Sequence, residues 1–496
     1  MKKILLLCLL TLSCSLTASQ AAAAKPPAPT DNQASAKGVV RVNSTNQSYD
    51  YTRPWDKKNP FPRRGAGAIL ENGLVLVTAE LVANHNHLEI EKPLTADKST
   101  AEVVAVDYDA NLALVKPVKA DFLKGLGSFQ LAEGARVGDS AEILQIENNG
   151  EIARTPATLT TIAVAPYPLD SLSLLVFKLS SPLQSRDSSF VLPAIREGKL
   201  LGLLMRYDAR TQTADLVPSP VIRRFLERAE KTPYIGFSRL GLSFSSTRDP
   251  QLRSYLGLAQ PGGIYLTEVI PESPAGLADL RRGDIILEVD GQAVDQDGLY
   301  EDPDFGKILF THLLTSREPN AGPLSIKYLR DGKTQDVEVT PKPIDPTKSV
   351  SESHTFDKPP RYFILGGLIF QELSRTFLRE WGANWTKTAP QRLVYLDAFQ
   401  SELPKDRGKI VFLSGTLPSP DTIGYEGLSN LVITRVNGIE IKSLDDVAKA
   451  AQSPENGFHK IEFEEDPKLL FLDANQIEAN KENLARDYGI PALQRL

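Results

Sequence analysis

Gly65-Ala66-Gly67-Ala68-Ile69-Leu70-Glu71-Asn72-Gly73-Leu74-Val75-Leu76-Val77-Thr78 consists of two apolar runs joined at Asn72-Gly73. Both turn residues tolerate a positive φ, so the stretch predicts a β-hairpin. Further short strands are expected at 101–106, 112–115 and 172–179. Many short strands with turn residues between them predict either a pair of β-barrels or a β-sandwich, and periodicity does not choose between the two. Downstream, Gly283-Asp284 turns the chain into the apolar run Ile285-Ile286-Leu287, and Asp290-Gly291 closes a second hairpin. Val436-Asn437-Gly438-Ile439 is a third such turn, and Ser443 is placed to cap a helix starting at Leu444. A helix is also expected over 376–385, with Trp381 and Trp385 four apart on one core-facing side.

The chain has 496 residues, enough for about three globular units. The expected division is a leader at 1–24, a flexible lead-in at 25–37, then units at 38–228, 233–343 and 361–496. A Pro/Lys/Ser/Asp-rich linker at 344–360 separates the last two. A short helix at 221–226 ends the first unit. With 56 Lys+Arg against 62 Asp+Glu, and no dense basic stripe, nucleic acid is not an expected partner. Met1-Lys2-Lys3, the apolar run from Ile4 to Leu16 and the small residues near Ala22-Ala23-Ala24 form a secretory signal peptide. The protein is therefore expected outside the cytoplasm, periplasmic or extracellular. Thr11 stands where a lipid-attachment box usually has Leu, which argues against an anchor at Cys14. No later segment reaches the ~20 apolar residues of a membrane span. Both cysteines, Cys8 and Cys14, lie in the leader, so cleavage leaves no thiol for disulfides, catalysis or metal binding.

The segments Gly65–Leu70, Val75–Val82 and Val106–Lys116 resemble the first strands of the HtrA/Deg serine proteases. That resemblance implies a mainly β protein with some α, a chymotrypsin-like double β-barrel followed by two PDZ domains. The family carries its catalytic His three residues after the Thr that ends a strand, and counting from Thr78 this chain has Leu81. The catalytic Asp precedes Leu-Ala-Leu, and here Asn111 stands there. Counting back from Gly198 places the nucleophile at Ser189, where Asp187, Phe190 and Val191 replace the surrounding glycines. Leu81 cannot accept a proton, and neutral Asn111 supports a developing cation poorly. A register slip of one offers Glu80, a weaker base than imidazole. Each oxyanion donor lost near Phe190 and Val191 costs roughly 3–4 kcal/mol. His85-Asn86-His87, with Glu89 and Glu91 beyond, fits no strong metal-ligand spacing and reads as a strand edge or solvated loop.

Tyr234–Leu242, Gly262–Leu266, Val269–Ala275 and Leu280–Gly291 resemble a PDZ domain of the HtrA/Deg type. Arg239-Leu240-Gly241-Leu242 matches the family's carboxylate-binding loop, which implies capture of peptide C-termini by strand addition. Tyr362–Phe370, Ile423-Gly424-Tyr425-Glu426 and Asp487–Pro491 resemble the divergent second PDZ domain of organellar Deg proteases. In that subgroup the second domain tends to serve assembly, which implies a homo-oligomer built on trimers. The sequence thus reads as an exported pseudoprotease without cofactor or metal. It would bind unfolded or C-terminal segments as an adaptor or scaffold in envelope protein quality control. The alternative is an active serine endopeptidase, with His85 or His87 facing Ser189.

Overall fold

The computed structural model describes residues 38–496 except 170–171, 185–190, 232–233, 259, 319–320, 344, 346–347 and 405. The leader, the lead-in and Ser189 therefore lie outside the described residues.

The first barrel comprises β1 (Val39–Asn46), β2 (Phe61–Ile69), β3 (Val75–Val77), the short helix α1 (Ala79–Val82), β4 (His85–Glu91), β5 (Lys98–Asp107) and β6 (Leu112–Pro117). The second contains β7 (Ser140–Ile146), β8 (Ile152–Pro166), β9 (Ser173–Ser180), β10 (Pro193–Arg196), β11 (Lys199–Asp208) and β12 (Thr213–Pro218). The sheets close in the orders β1-β2-β3-β6-β5-β4 and β10-β11-β12-β9-β8-β7, so the choice between barrels and sandwich falls to barrels. Closure leaves neither sheet an edge to pair with another chain. The β2–β3 turn forms where expected, but only Gly73 takes a positive φ, of 75°. Asn72 contributes instead through its side chain, whose Oδ1 accepts the Leu74 N–H at 3.1 Å. Gly67 lies against β3, and a Cβ there would meet Val75 Cγ1 at 2.3 Å. Gly67→Ala is therefore expected to cost about 1–3 kcal/mol by overpacking the barrel. Chemical unfolding would check this, and an unchanged midpoint would contradict it.

Helix α2 (Ser219–Ala229) buries Val221, Ile222 and Phe225 against the second barrel. The next unit begins with β13 (Leu242–Ser246), α3 (Pro250–Leu256), β14 (Ile264–Val269), α4 (Pro274–Leu277), β15 (Ile285–Val289) and β16 (Gln292–Ala293). A hairpin, β17 (Leu299–Asp302) and β18 (Gly306–Leu309), precedes α5 (Thr311–Thr315), β19 (Leu324–Arg330) and β20 (Lys333–Val339). The main sheet runs β13-β14-β15-β19-β20. Asp290 and Gly291 both take positive φ in the β15–β16 turn. The β17–β18 hairpin, unforeseen from sequence, lays Phe305 against Phe177 of the second barrel, with centroids 6.2 Å apart. One apolar cluster consequently runs from Leu76 and Leu112 through Phe177 into Ile264 and Ile326.

The last unit is built on a sheet of order β27-β26-β24-β23-β22-β21-β28. Its elements are β21 (Tyr362–Leu365), β22 (Leu368–Glu372), α6 (Arg375–Leu378), α7 (Trp385–Thr388), α8 (Gln391–Ala398), β23 (Val411–Thr416), β24 (Leu431–Val436) and β25 (Ile439–Glu440). They continue with α9 (Leu444–Ala450), β26 (Phe458–Phe463), β27 (Leu469–Asp473), α10 (Ala474–Asp487) and β28 (Gln494–Arg495). Ser443 caps α9, its Oγ accepting from Asp446 N at 3.3 Å. The single helix expected over 376–385 is corrected. Gly382, at φ 86°, breaks the run, so Trp381 and Trp385 do not share a helix face. Trp381 packs edge-on against Phe377 at 5.2 Å, and Trp385 lies under Arg375. The expected linker is not a free tether over its second half. Ser351 is buried, its Oγ 2.8 Å from Asp397 Oδ1, and Phe356 stacks 4.4 Å from Tyr108 of the first barrel.

Candidate functional site: a cleft between barrels and a strand edge

β3 ends at Val77 and Thr78 is the N-cap of α1, whose Leu81 and Val82 drop into the first barrel's apolar cluster. Leu81 is 2% exposed. Asn111 sits in the β5–β6 turn at φ 52°, a conformation asparagine tolerates better than most residues. Its Oδ1 accepts the N–H of Glu80 at 3.1 Å, while its buried Nδ2 has no hydrogen-bond partner among the described residues. Asn111 thus bonds the backbone of the residue that precedes Leu81.

Ser189 lies outside the described residues, and Val191 and Leu192 follow it in sequence. Val191 O accepts from Ala66 N at 2.9 Å, and Leu192 O from Leu204 N at 2.8 Å. A Cβ on Gly65 would lie 2.8 Å from Val191 Cβ and 3.1 Å from Leu81 Cδ2. Leu81 and Val191 therefore converge over Gly65, and both belong to one apolar cluster. They wall a cleft of about 780 Å³ that Arg63, Glu80, His87 and Met205 also line. Burial raises the Glu80 carboxyl above its usual range, with Arg63 and Arg206 opposing. His87 Nε2 stands 3.6 Å from Glu89 Oε2, whereas His85 Nδ1 turns to Val82 O at 2.7 Å. Among the described residues no three His, Cys, Asp or Glu side chains converge as a metal would require.

The loop Arg239–Leu242 leads directly into β13. Arg239 pairs its backbone with Lys342 and ion-pairs with Asp109, so its side chain is committed to the first barrel. Leu240 is buried, and its carbonyl accepts the Ala275 N–H at 3.0 Å. Gly241 adopts φ 75° and its carbonyl accepts from Ile270 N at 2.9 Å. Both carbonyls are thus turned into the domain. Among the described residues β13 pairs only with β14, so its other side is a sheet edge.

Sequence reasoning missed what joins these two places. The β5–β6 turn that carries Asn111 is gripped by the later units. Tyr234 donates to the buried Asp107 and Arg239 pairs with Asp109. Tyr108 donates to Asp357. Desolvation raises the Asp107 carboxyl, with Asp109 adding to the effect. Asp357 also accepts the Asn84 N–H at 2.7 Å and returns its own N–H to Asn84 Oδ1 at 2.8 Å. One linker residue thereby ties together the segment following Leu81 and the turn bearing Asn111. No local signal marks Asp357, because its partners lie more than 240 residues away in sequence.

A family model described as "PDZ domain" matches residues 351–494, and a second PDZ domain model matches 265–300. The first match begins ten residues before the expected boundary at 361, in keeping with the packed linker. Protease Do-like 2, chloroplastic, from Arabidopsis thaliana is 26% identical over 92% of this chain and 74% of its own length. Protease Do-like 4, mitochondrial, from the same plant is 23% identical over 89% and 82%. A solved HtrA-type protease, a variant of AlgW with a decapeptide, superposes with a TM-score of 0.50. Its sequence is 16% identical, and the match covers 63% of this chain and 96% of that one. The fold is thus a pair of closed β-barrels followed by two PDZ domains. The chain is similar in sequence to Do-like proteases and in fold to an HtrA-type protease. No described helix is long and apolar enough to cross a membrane.

Proposed function

We propose that this chain is an exported HtrA/Deg-like pseudoprotease that captures polypeptide segments or C-termini without cleaving them. It would serve as an adaptor or scaffold in envelope protein quality control. The observation that carries this reading is the convergence of Leu81 and Val191 over Gly65. Leu81, at the position that counting from Thr78 gives to the base, and Val191, two residues after Ser189 in sequence, are both hydrocarbon side chains, and neither can take a proton. Asn111, neutral and bonded to a backbone N–H, offers a developing imidazolium no charge. The fold still supplies a cleft and, at β13 with Arg239, Leu240, Gly241 and Leu242, an edge where an extended peptide could add as a strand. The units at 38–228, 233–343 and 361–496 would act as degenerate barrel pair, peptide-binding PDZ and assembly PDZ, with trimers as the basic oligomer.

A second reading, an active serine endopeptidase, is favoured by Glu80 and His87 lining the same cleft. The test is cleavage of an unfolded labelled protein by the mature chain and by Ser189→Ala, with binding recorded in parallel. No cleavage by either, with equal binding, is expected. Cleavage that disappears in Ser189→Ala would overturn the proposal, and its further loss in Glu80→Gln or His87→Gln would identify the base.

A further inference from the structure

The outer side of the β13 edge has a wall that belongs to the other PDZ domain. On β13, Leu242 and Phe244 pack toward the domain core, so Ser243 between them faces outward. Ser243 pairs across the sheet with Glu268 of β14 and donates its hydroxyl to Glu268 Oε2 at 3.0 Å. Ser401, in the turn following α8, donates to the other oxygen of that carboxylate. The segment 399–402 of the second PDZ domain therefore stands beside the outer face of the first domain's edge strand. Tyr395 and Phe399 lie there with centroids 5.0 Å apart, 40% and 45% exposed. Tyr395 OH donates to Glu402 Oε2 at 3.1 Å. The cation of this corner, Arg392, is taken by Glu464 at 2.5 Å and Glu465 at 3.5 Å while it lies over the Tyr395 ring.

We infer that the second PDZ domain completes the peptide groove of the first, and that together they select ligands with Lys or Arg as the penultimate residue. This rests on the peptide-capture reading. A C-terminal carboxylate held at Arg239–Leu242 would point the last side chain inward, and strand alternation turns the penultimate one outward beside Ser243. Cross-strand neighbours on one face stand about 5 Å apart. A lysine or arginine there reaches the Glu268 and Glu402 carboxylates with its head, and its stem can lie along the two exposed rings. An acidic residue at the same place meets two carboxylates and no uncommitted cation from the three elements that form the corner, β13, β14 and the 391–402 segment. Glu268 and Glu402 thus act by attraction toward one ligand and repulsion toward the other.

Fluorescence anisotropy on the full chain tests this with ten-residue peptides identical except for Lys, Ala or Glu at the penultimate position. The Lys peptide is expected to bind roughly five- to tenfold tighter than the Glu peptide, a preference that shrinks with added salt. Glu268→Gln keeps the shape of the side chain and an acceptor oxygen for one serine hydroxyl, while its amide N–H can donate to the other, and is expected to abolish most of the preference while retaining binding. Phe399→Ala is expected to weaken the Lys peptide more than the Ala peptide. Equal binding of all three peptides would overturn this inference and leave the groove standing. Binding of none would overturn the groove reading itself.

Discussion

Trp55→Ala is expected to free the second PDZ domain from the first barrel and to lower the unfolding midpoint sharply. Trp55 sits in the β1–β2 connection yet is only 6% exposed, because it leaves its own barrel and enters the last unit. Its ring lies 6.2 Å from Tyr362 in an edge-on arrangement, within a cluster that includes Ile364, Ile369, Leu484 and Ile490. The same connection is held by Gln371 Nε2, which donates to Tyr51 O at 2.9 Å, and by Arg495, which donates to Pro54 O at 3.1 Å. Lys58 pairs with Glu380 at 2.5 Å. Truncating a buried tryptophan costs about 3–5 kcal/mol, and here that loss falls on a contact between domains. Calorimetry should show the single transition broaden or split, and protease should nick the chain between 344 and 360. Trp55→Phe is expected to restore most of the docking, since the indole N–H has no hydrogen-bond partner among the described residues. An unshifted single transition in Trp55→Ala would show that the aromatic contact does not hold the units together. Release would also loosen Asp357, and with it the grip on the turn bearing Asn111.

Mild acid is the second lever. Burial pushes the imidazoles of His312, His354 and His459 below the usual value of 6.5. His354 is wedged against Tyr108 and Phe356, with Asp109 opposing the shift and Arg239, Arg379 and Arg375 adding to it. His459 Nδ1 lies 3.2 Å from Asn437 Nδ2, which donates to it, so protonation there breaks a buried hydrogen bond. A base with a depressed folded pKa binds fewer protons folded than unfolded near its transition. Its contribution is complete above pH 6.5 and is lost as the pH falls below that value. Each such histidine removes up to about 1.4 kcal/mol per pH unit in that window. Asp107 and Glu352, raised by desolvation, act in the opposite sense, so the comparison is made site by site. Chemical unfolding at pH 7.5, 6.5 and 5.5 should show wild type losing ground to His354→Phe and to His459→Gln as the pH drops. Parallel curves for wild type and variants would refute the assignment.

The local grammar of the chain was legible, and its reach explains both the successes and the misses. Asn437-Gly438 and Asp290-Gly291 fold as tight turns with positive φ at both residues, and Ser443 caps its helix, because each choice is made within three or four residues. Gly382 is the local sign that ends the expected helix, since a glycine at positive φ can terminate a helix as well as interrupt it. The positions of Leu81 and Asn111 can be counted from Thr78 and from Leu-Ala-Leu, and the fold bonds Asn111 to the N–H of Glu80, next to Leu81 in sequence.

Most of the strands and turns, both PDZ resemblances and the leucine standing at the position counted from Thr78 are legible in the sequence, because all are matters of side-chain chemistry and short-range backbone preference. Tertiary structure alone decided that the sheets close into barrels and that Val191 meets Leu81 over Gly65. It also decided that Trp55 and Asp357 lock the units together and that Ser401 stands at the edge of another domain's groove. These contacts join residues from 10² to more than 300 positions apart. Chain proximity carries no information at that range, and only the packing of complementary surfaces brings such partners within reach.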